Sequence, residues 1–409
     1  MLFIVFMQSI FADTPSLPLS LFVAERLAIM NSPELQRLHA NAEALEQQAV
    51  ADGQLPDPQL MAGAINVPTD SFSFTQDEMT MIEAGLQQSF PPGHSRRYKS
   101  AQTKAMAEAE RRQMHDQALV LLQDVRTTWL GLYYWTHAKQ VIRANRQLLA
   151  YLVKATLSQY KVGNANQADV LQAQVELTRL DDQAVQIDQQ IALLKAQLGR
   201  RIGQEQANRP LTAALPHWPA PPPLSQLAET LQQHPLLSVD AAKIQASEAQ
   251  VAYAKEQYKP GFMIDAGYGF RQGTMNGSPR SDMVGAQLTI DLPIFTHQRQ
   301  DKRLQSSTSQ LVASQLDQQI HYRDLAEVLH SQYATWELLA QRETLFRQRL
   351  IPEAEQNAKA TLRAYQSATI DVTPVLKAYG TKLDTELQLL QIQVERTKAR
   401  AMLLYLQGK

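Results

Sequence analysis

Two hydrophobic periods alternate along this chain. Val284, Ala286, Leu288, Ile290 and Leu292 are interleaved with Met283, Gly285, Gln287, Thr289 and Asp291; Phe262, Ile264, Ala266, Tyr268 and Phe270 with Met263, Asp265, Gly267, Gly269 and Arg271. A period of two predicts strands with one apolar face. In the first half Ile82, Ala84, Leu86 and Phe90 alternate with Glu83, Gly85, Gln87 and Ser89, whereas residues 58–66 assign no faces. The two runs in the second half have the length of a tilted strand that crosses the hydrocarbon region. A half-buried strand of a soluble sheet shows the same alternation.

Elsewhere the apolar positions recur by threes and fours. Leu177, Leu180, Ala184, Ile187, Ile191, Leu194 and Leu198 form one such series, Leu383, Leu387, Leu390, Val394, Thr397, Ala401 and Leu404 another, and Met114, Ala118, Leu121, Val125, Trp129 and Leu132 a third. This is coiled-coil spacing. Ser95 to Tyr160 contains no Pro, and Thr296 to Tyr365 contains only Pro352. About 65 helical residues make a rod of roughly 100 Å. A narrow apolar seam with a wide polar face suits a wall of helices around water better than a solid bundle, with a plain coiled coil as the alternative.

The pattern occurs twice. Pro33 matches Pro235, Pro58 matches Pro260, and Leu86 to Pro91 matches Leu288 to Pro293, all at a spacing of 202; Tyr160, Val170, Leu171 and Ala173 match Tyr365, Val375, Leu376 and Ala378 at 205. The chain therefore reads as two copies of helix, hairpin and long helices. The first spans 17–206, with a β-hairpin about 58–90 and helices over 95–203. The second spans 225–409, with a β-hairpin about 260–292 and helices over 296–406. Between them, 207–224 is a linker holding Pro210, Pro216, Pro219, Pro221, Pro222 and Pro223, expected to be extended and semi-rigid. Residues 1–12 are apolar and end before Asp13-Thr14-Pro15, the pattern of a signal peptide.

Composition narrows the chemistry. Over 409 residues, 39 Lys and Arg balance 40 Asp and Glu, for a formal charge of −1, so the basic face that a nucleic-acid partner requires is missing. The absence of Cys removes disulfides, thiolate metal sites and Cys nucleophiles. No stretch is apolar enough for a membrane helix, so membrane insertion would have to use strands. No nucleotide-binding, hydrolase or paired-His motif occurs. An enzyme and a cofactor are not expected, and no metal site: Met61, Met79, Met81 and Met283 could meet soft cations but read as apolar filling.

Four strands cannot close a barrel, and open edges cannot sit in lipid. Three copies supply twelve strands. The expected fold class is mainly α with a transmembrane β-barrel: a two-fold internal repeat of long coiled-coil helices plus β-hairpins, trimerising into a 12-stranded β-barrel.

The order helix, hairpin, long helix, Tyr160-Lys-Val-Gly163 turn, Asp169-Val170-Leu171 and returning helix, repeated, resembles the TolC family of trimeric outer-membrane efflux ducts. Leu55-Pro-Asp-Pro-Gln-Leu60, Met79-Thr-Met81 before Gln88-Ser-Phe90-Pro91, and Gly93 before Arg96-Arg97 resemble its heavy-metal branch, the CusC and CzcC type. The resemblance implies a homotrimer in outer-membrane lipid, its 12-stranded β-barrel continued by a periplasmic α-helical barrel, working with a periplasmic adaptor (membrane fusion protein) and an inner-membrane RND pump. The cargo it implies is heavy-metal cations; export of drugs or proteins is the alternative within the family, and a soluble periplasmic coiled-coil scaffold the alternative outside it.

The resemblance also places functional residues. The adaptor would dock at the two helix-to-helix turns, at Tyr160, Val162 and Gly163 and at Tyr365, Ser367 and Ala368, the last standing where Gly is usual. Gly163 is equally a helix C-cap. Asp169 and Tyr365 match positions of the family's closed tip, whereas Ile370, Pro374 and Lys377 depart from its pattern. Asp371 lies one turn before Pro374 and can restore an acidic ring under threefold symmetry. The gate candidates are thus Asp169, Asp371 and Lys377, with helix capping as the competing role for both Asp residues.

Overall fold

The computed structural model describes residues 17–367 and 369–409; the expected leader at 1–12 and Ala368 lie outside them. Contacts divide the chain into two compact units that each draw on both halves of the sequence. One holds the described residues up to Leu35 with His115–His234 and Arg323–Lys409; the other holds Gln36–Met114 with Pro235–Tyr322.

In chain order the elements are α1 (Leu21–Met30), α2 (Pro33–Asp52), β1 (Gln59–Ile65), β2 (Met81–Phe90), α3 (Ser95–Lys161), α4 (Gln167–Ile202), α5 (Gln204–Ala207), α6 (Leu224–Leu231), α7 (Pro235–Glu256), β3 (Phe262–Phe270), β4 (Met283–Ile290), α8 (Gln300–Leu345), α9 (Ile351–Gln366) and α10 (Val372–Leu406). Among the described residues no helix is long and apolar enough to cross a membrane. A π-helical turn at Phe346–Leu350 joins α8 to α9. It immediately precedes Pro352, whose ring and missing N–H disrupt a regular helix, and the wider turn absorbs that mismatch.

In the first unit the threes-and-fours seams are buried. Leu121, Val125, Trp129 and Leu132 of α3 cluster with Leu198 of α4 and Val394 of α10. Ile142, Leu149 and Leu152 of α3 cluster with Leu180 and Ile187 of α4 and with Val375, Leu376 and Leu383 of α10. Each fully buried side chain of this size contributes roughly 1.5–3 kcal/mol. The Pro-rich connector belongs to this unit and is no free spacer. Leu19 bridges to Leu211, Tyr133 donates to the Ala213 carbonyl at 3.0 Å, and Leu211, Leu215 and Trp218 pack on the core. Its prolines lack N–H groups, so the segment is held by isolated backbone bonds at Pro210 and Thr212 and by side chains rather than by a ladder of its own.

The second unit packs its helices through small residues. Ala42 and Ala49 of α2, Ala107 and Ala109 of α3, and Ala242, Ala246 and Ala254 of α7 are all buried. The passage from β2 into α3 turns at Gly93, at φ 48°, where the His94 amide donates to Glu256 at 2.6 Å. That backbone bond, followed by the Lys259 ammonium, holds the Glu256 carboxyl below its usual range. All four strands lie in this unit, in one antiparallel sheet of order β1-β2-β3-β4.

Candidate functional site

The sheet register settles which residues share a face. Leu60 pairs with Leu86 and Leu86 with Ala266; Ala62 with Ala84 and Ala84 with Tyr268; Ala64 with Ile82 and Ile82 with Phe270. Ala266 continues to Ala286, Tyr268 to Val284 and Ile264 to Leu288. One face is therefore apolar across all four strands, including β1, whose sequence is silent on the point. That face is exposed: Leu60 is 75% exposed, Leu86 58% and Val284 83%. At the helical end of the sheet Phe90 stacks on Phe262, ring centroids 4.8 Å apart.

The opposite face carries polar side chains, glycines and methionines. Gln59, Gln87, Asp265 and Gln287 form one row across the sheet, and Met61, Gly85, Gly267 and Gly285 form the next. Glu83 occupies the row beyond, between Gly63 and Gly269. Met81 and Met283 also belong to this face, because they pair with Ile65 and Gly269. Glycine is required at Gly85, where the strands meet closely: a Cβ there would lie 2.9 Å from the Ala266 carbonyl, whereas one on Gly267 would meet only the movable side chain of Glu83. An apolar face left exposed on one side of the sheet inverts the arrangement of a soluble sheet, which buries that side.

The two helix-to-helix turns lie in the first unit. At the end of α3, Gly163 takes φ 81°, its amide donates to Tyr160 at 3.0 Å, and the Asn164 amide reaches Gln159 at 2.9 Å. This pair of bonds is a Schellman closure, with Gly163 as its left-handed residue. Tyr160 and Val162 are exposed around it. After α9, the Thr369 amide reaches the Ala364 carbonyl at 2.9 Å, the reach of Asn164 to Gln159 repeated at a spacing of 205. The Ser367 hydroxyl pairs with Thr369 at 2.9 Å.

The gate candidates divide. Asp169 and Asn166 form a reciprocal capping box at the start of α4, at 2.8 and 3.2 Å. Asp371 occupies the N-cap of α10, yet its side chain makes no capping bond. Both line a cavity of 160 Å³ together with Tyr365, Thr156 and Ile370. The Tyr365 hydroxyl meets the buried Thr156 hydroxyl at 3.1 Å, and Thr373 donates to Gln172 at 2.8 Å, so α9 is linked to α3 and α10 to α4. Lys377 is exposed further along α10 and does not line that cavity.

Sequence reasoning misses Thr156, Gln172 and Thr373, because single hydroxyls and amides on polar helices carry no periodic signal. It also misses the ion pairs that join α3 to α4, Arg146 with Asp181 and Lys139 with Asp188. Opposite charges on both helices are their only trace. Among the described residues no cluster of His, Asp or Glu is arranged to hold a metal ion.

Comparison with known proteins accords with this geometry. Residues 227–409 match the family described as outer membrane efflux protein. No curated protein is matched by sequence. Among solved structures, the outer membrane protein VceC from Vibrio cholerae superposes with a TM-score of 0.80 at 17% identity, over 95% of this chain and 96% of that one. The outer membrane channel CmeC from Campylobacter jejuni gives 0.77 at 12%, over 95% and 85%, and CusC gives 0.74 at 15%, over 97% and 95%. The fold is that of these outer-membrane channels, and the family matched is one of transporters, not enzymes.

Proposed function

We propose that three copies of this chain join β4 of one to β1 of the next, closing a twelve-stranded barrel in the outer membrane that continues into a periplasmic helical duct. One observation carries the reading: the apolar face of the sheet is exposed from Leu60 to Val284, while β1 and β4 are left as unpaired edges. Lipid covers the first and closure removes the second. A soluble coiled-coil scaffold would leave both in water.

In this reading the duct is passive. A periplasmic adaptor docks at Tyr160, Val162 and Gly163 and at Tyr365, Ser367 and Ala368, and an inner-membrane RND pump supplies the energy. Opening separates the returning helices near Asp169 and Asp371, with Lys377 further along the same wall. The cargo is heavy-metal cations, supported by the Leu55–Leu60 and Met79–Pro91 segments and by Glu83 and Asp265 on the inward face, whose charge attracts cations.

Mass measurement by light scattering in mild detergent tests the assembly: three chains are expected, and a soluble monomer or dimer needing no detergent overturns the duct. Deleting the gene tests the cargo. Sensitivity to metal ions is expected, whereas sensitivity to drugs with unchanged metal tolerance overturns the metal reading and leaves the duct standing.

A further inference from the structure

Apart from the turns and the sheet, the first unit contains a cavity of 410 Å³ between the Pro-rich connector and the helices α8 and α10. Its volume is that of a small-molecule site. The connector contributes Leu215, Pro216 and Trp218 to one wall, and α8 contributes Trp336. The remaining wall is cationic. Arg347, Arg396 and Arg400 line the cavity against a single carboxylate, Glu343.

That carboxylate is already fully engaged. One oxygen accepts from Arg347 at 3.0 Å and from Gln393 at 3.1 Å, and the other accepts from Arg396 at 3.0 Å. Burial opposes ionisation of Glu343, but the bonds from Arg347, Gln393 and Arg396 prevail and hold its carboxyl below the usual range. Arg396 also lies over the Trp336 ring at 5.2 Å.

Among the described residues Arg400 has no such counter-charge. It is 94% buried, being only 6% exposed, and among the described residues it is bonded from Nε to the Pro219 carbonyl at 2.8 Å. Its Nη1 is enclosed and has no partner among the described residues, and the same holds for Nε of Arg396. A further guanidinium, Arg126, is nearby, 5.8 Å from the Trp218 ring, and is itself engaged with Glu25. Burial, with the Arg126 charge, pushes the Arg400 guanidinium down. A buried cation with an idle donor is costly unless an anion reaches it.

We propose that this cavity binds a small amphipathic organic anion, its carboxylate held by Nη1 of Arg400 and Nε of Arg396 and its flat apolar body lying between Trp218 and Trp336. Guanidinium donors match carboxylate oxygens in geometry, and indole faces supply the apolar contact. The binding is independent of the export reading, since it concerns a cavity within one chain.

Calorimetric titration of the purified full chain in non-ionic detergent with indole-3-propionate tests it. Binding of one molecule per chain is expected, weakened tenfold or more in Arg400→Gln and in Arg396→Gln and likewise by replacing the probe with indole-3-propionamide. Inorganic phosphate is expected to compete only weakly. Because Arg400→Gln removes a bond to the connector, Arg396→Gln and Trp336→Leu stand as variants that leave that bond in place; each is checked by circular dichroism. Absence of binding at millimolar probe, unchanged affinity in Arg396→Gln, or equal affinity for phosphate overturns the proposal.

Discussion

The hydroxyl of Tyr365 meets that of Thr156 at 3.1 Å, joining residues 209 apart in the chain. Thr156 is fully buried and also donates to the Leu152 carbonyl at 2.9 Å, so the tyrosine is its side of a short relay that ties α9 to α3. A bond of this kind contributes about 1 kcal/mol. Tyr365→Phe should therefore leave the fold intact and accelerate amide exchange around residues 156–166 about fivefold, the rate equivalent of that energy. Unchanged exchange would mean that the two helices are held by packing alone.

Gly163 separates two roles. Its Cβ position is open, so only backbone strain opposes substitution. Gly163→Val should cost about 1 kcal/mol or more, read as a lowered Tm, whereas Gly163→Asn, which tolerates the left-handed region, should cost less. Cross-linking to the proposed adaptor distinguishes the rest: an Asn variant that is stable but no longer cross-links has lost a contact and not a cap.

The glycine row of the sheet offers an internal control. A methyl on Gly85 meets backbone at 2.9 and 3.1 Å, while one on Gly285, in the same row, meets nothing within 4 Å. Gly85→Ala should cost roughly 1–3 kcal/mol and reduce assembled protein on semi-native gels, because the β2–β3 pairing has to separate. Gly285→Ala should assemble normally.

The two sheet faces should respond oppositely to charge. Val284→Lys places an ammonium in the exposed apolar face and should cost about 2–4 kcal/mol if that face meets lipid near the midplane. Gln287→Lys, on the polar face, should be tolerated. Yields of folded protein in the outer membrane measure both, and equal yields would speak against a lipid-facing surface.

His234 predicts an acid-sensitive first unit. It is 2% exposed, its Nε2 is 3.2 Å from the Tyr405 carbonyl, and its ring meets Tyr405 edge-on at 4.9 Å. Burial is the main cause of a pKa lowered from 6.5; the carbonyl opposes it and His115 adds to it. Facing it, the Tyr405 phenol is pushed up to about 12 by burial and by Asp116 and stays neutral. The unfolded chain takes up a proton near 6.5 and the folded chain only at lower pH, so this contribution is complete above 6.5 and is lost as pH falls below it. Thermal melts between neutral pH and about pH 5 should show a shallower decline in His234→Gln than in the parent.

Much of the architecture is legible in the chain because its signals are local. The alternation in 262–270 and 283–290 corresponds to β3 and β4, and the seams through Leu121 to Leu132 and Leu180 to Leu198 correspond to buried stripes of α3 and α4. The closure at Gly163 is likewise read from a left-handed residue at a helix end.

What the sequence by itself determined is thus the set of elements, the apolar side of three strands and the places where the helices turn, because periods of two and of three-and-four arise from the geometry of one segment. Only the tertiary structure decided partners: that β1 presents Leu60 outward with Leu86, that Asp371 and Asp169 share one cavity with Tyr365 while Lys377 does not, and that the proline connector closes a cavity over Arg400. These pairings join segments far apart in sequence. Strand register and side-chain packing choose them, and neither leaves a periodic trace in the residues that are chosen.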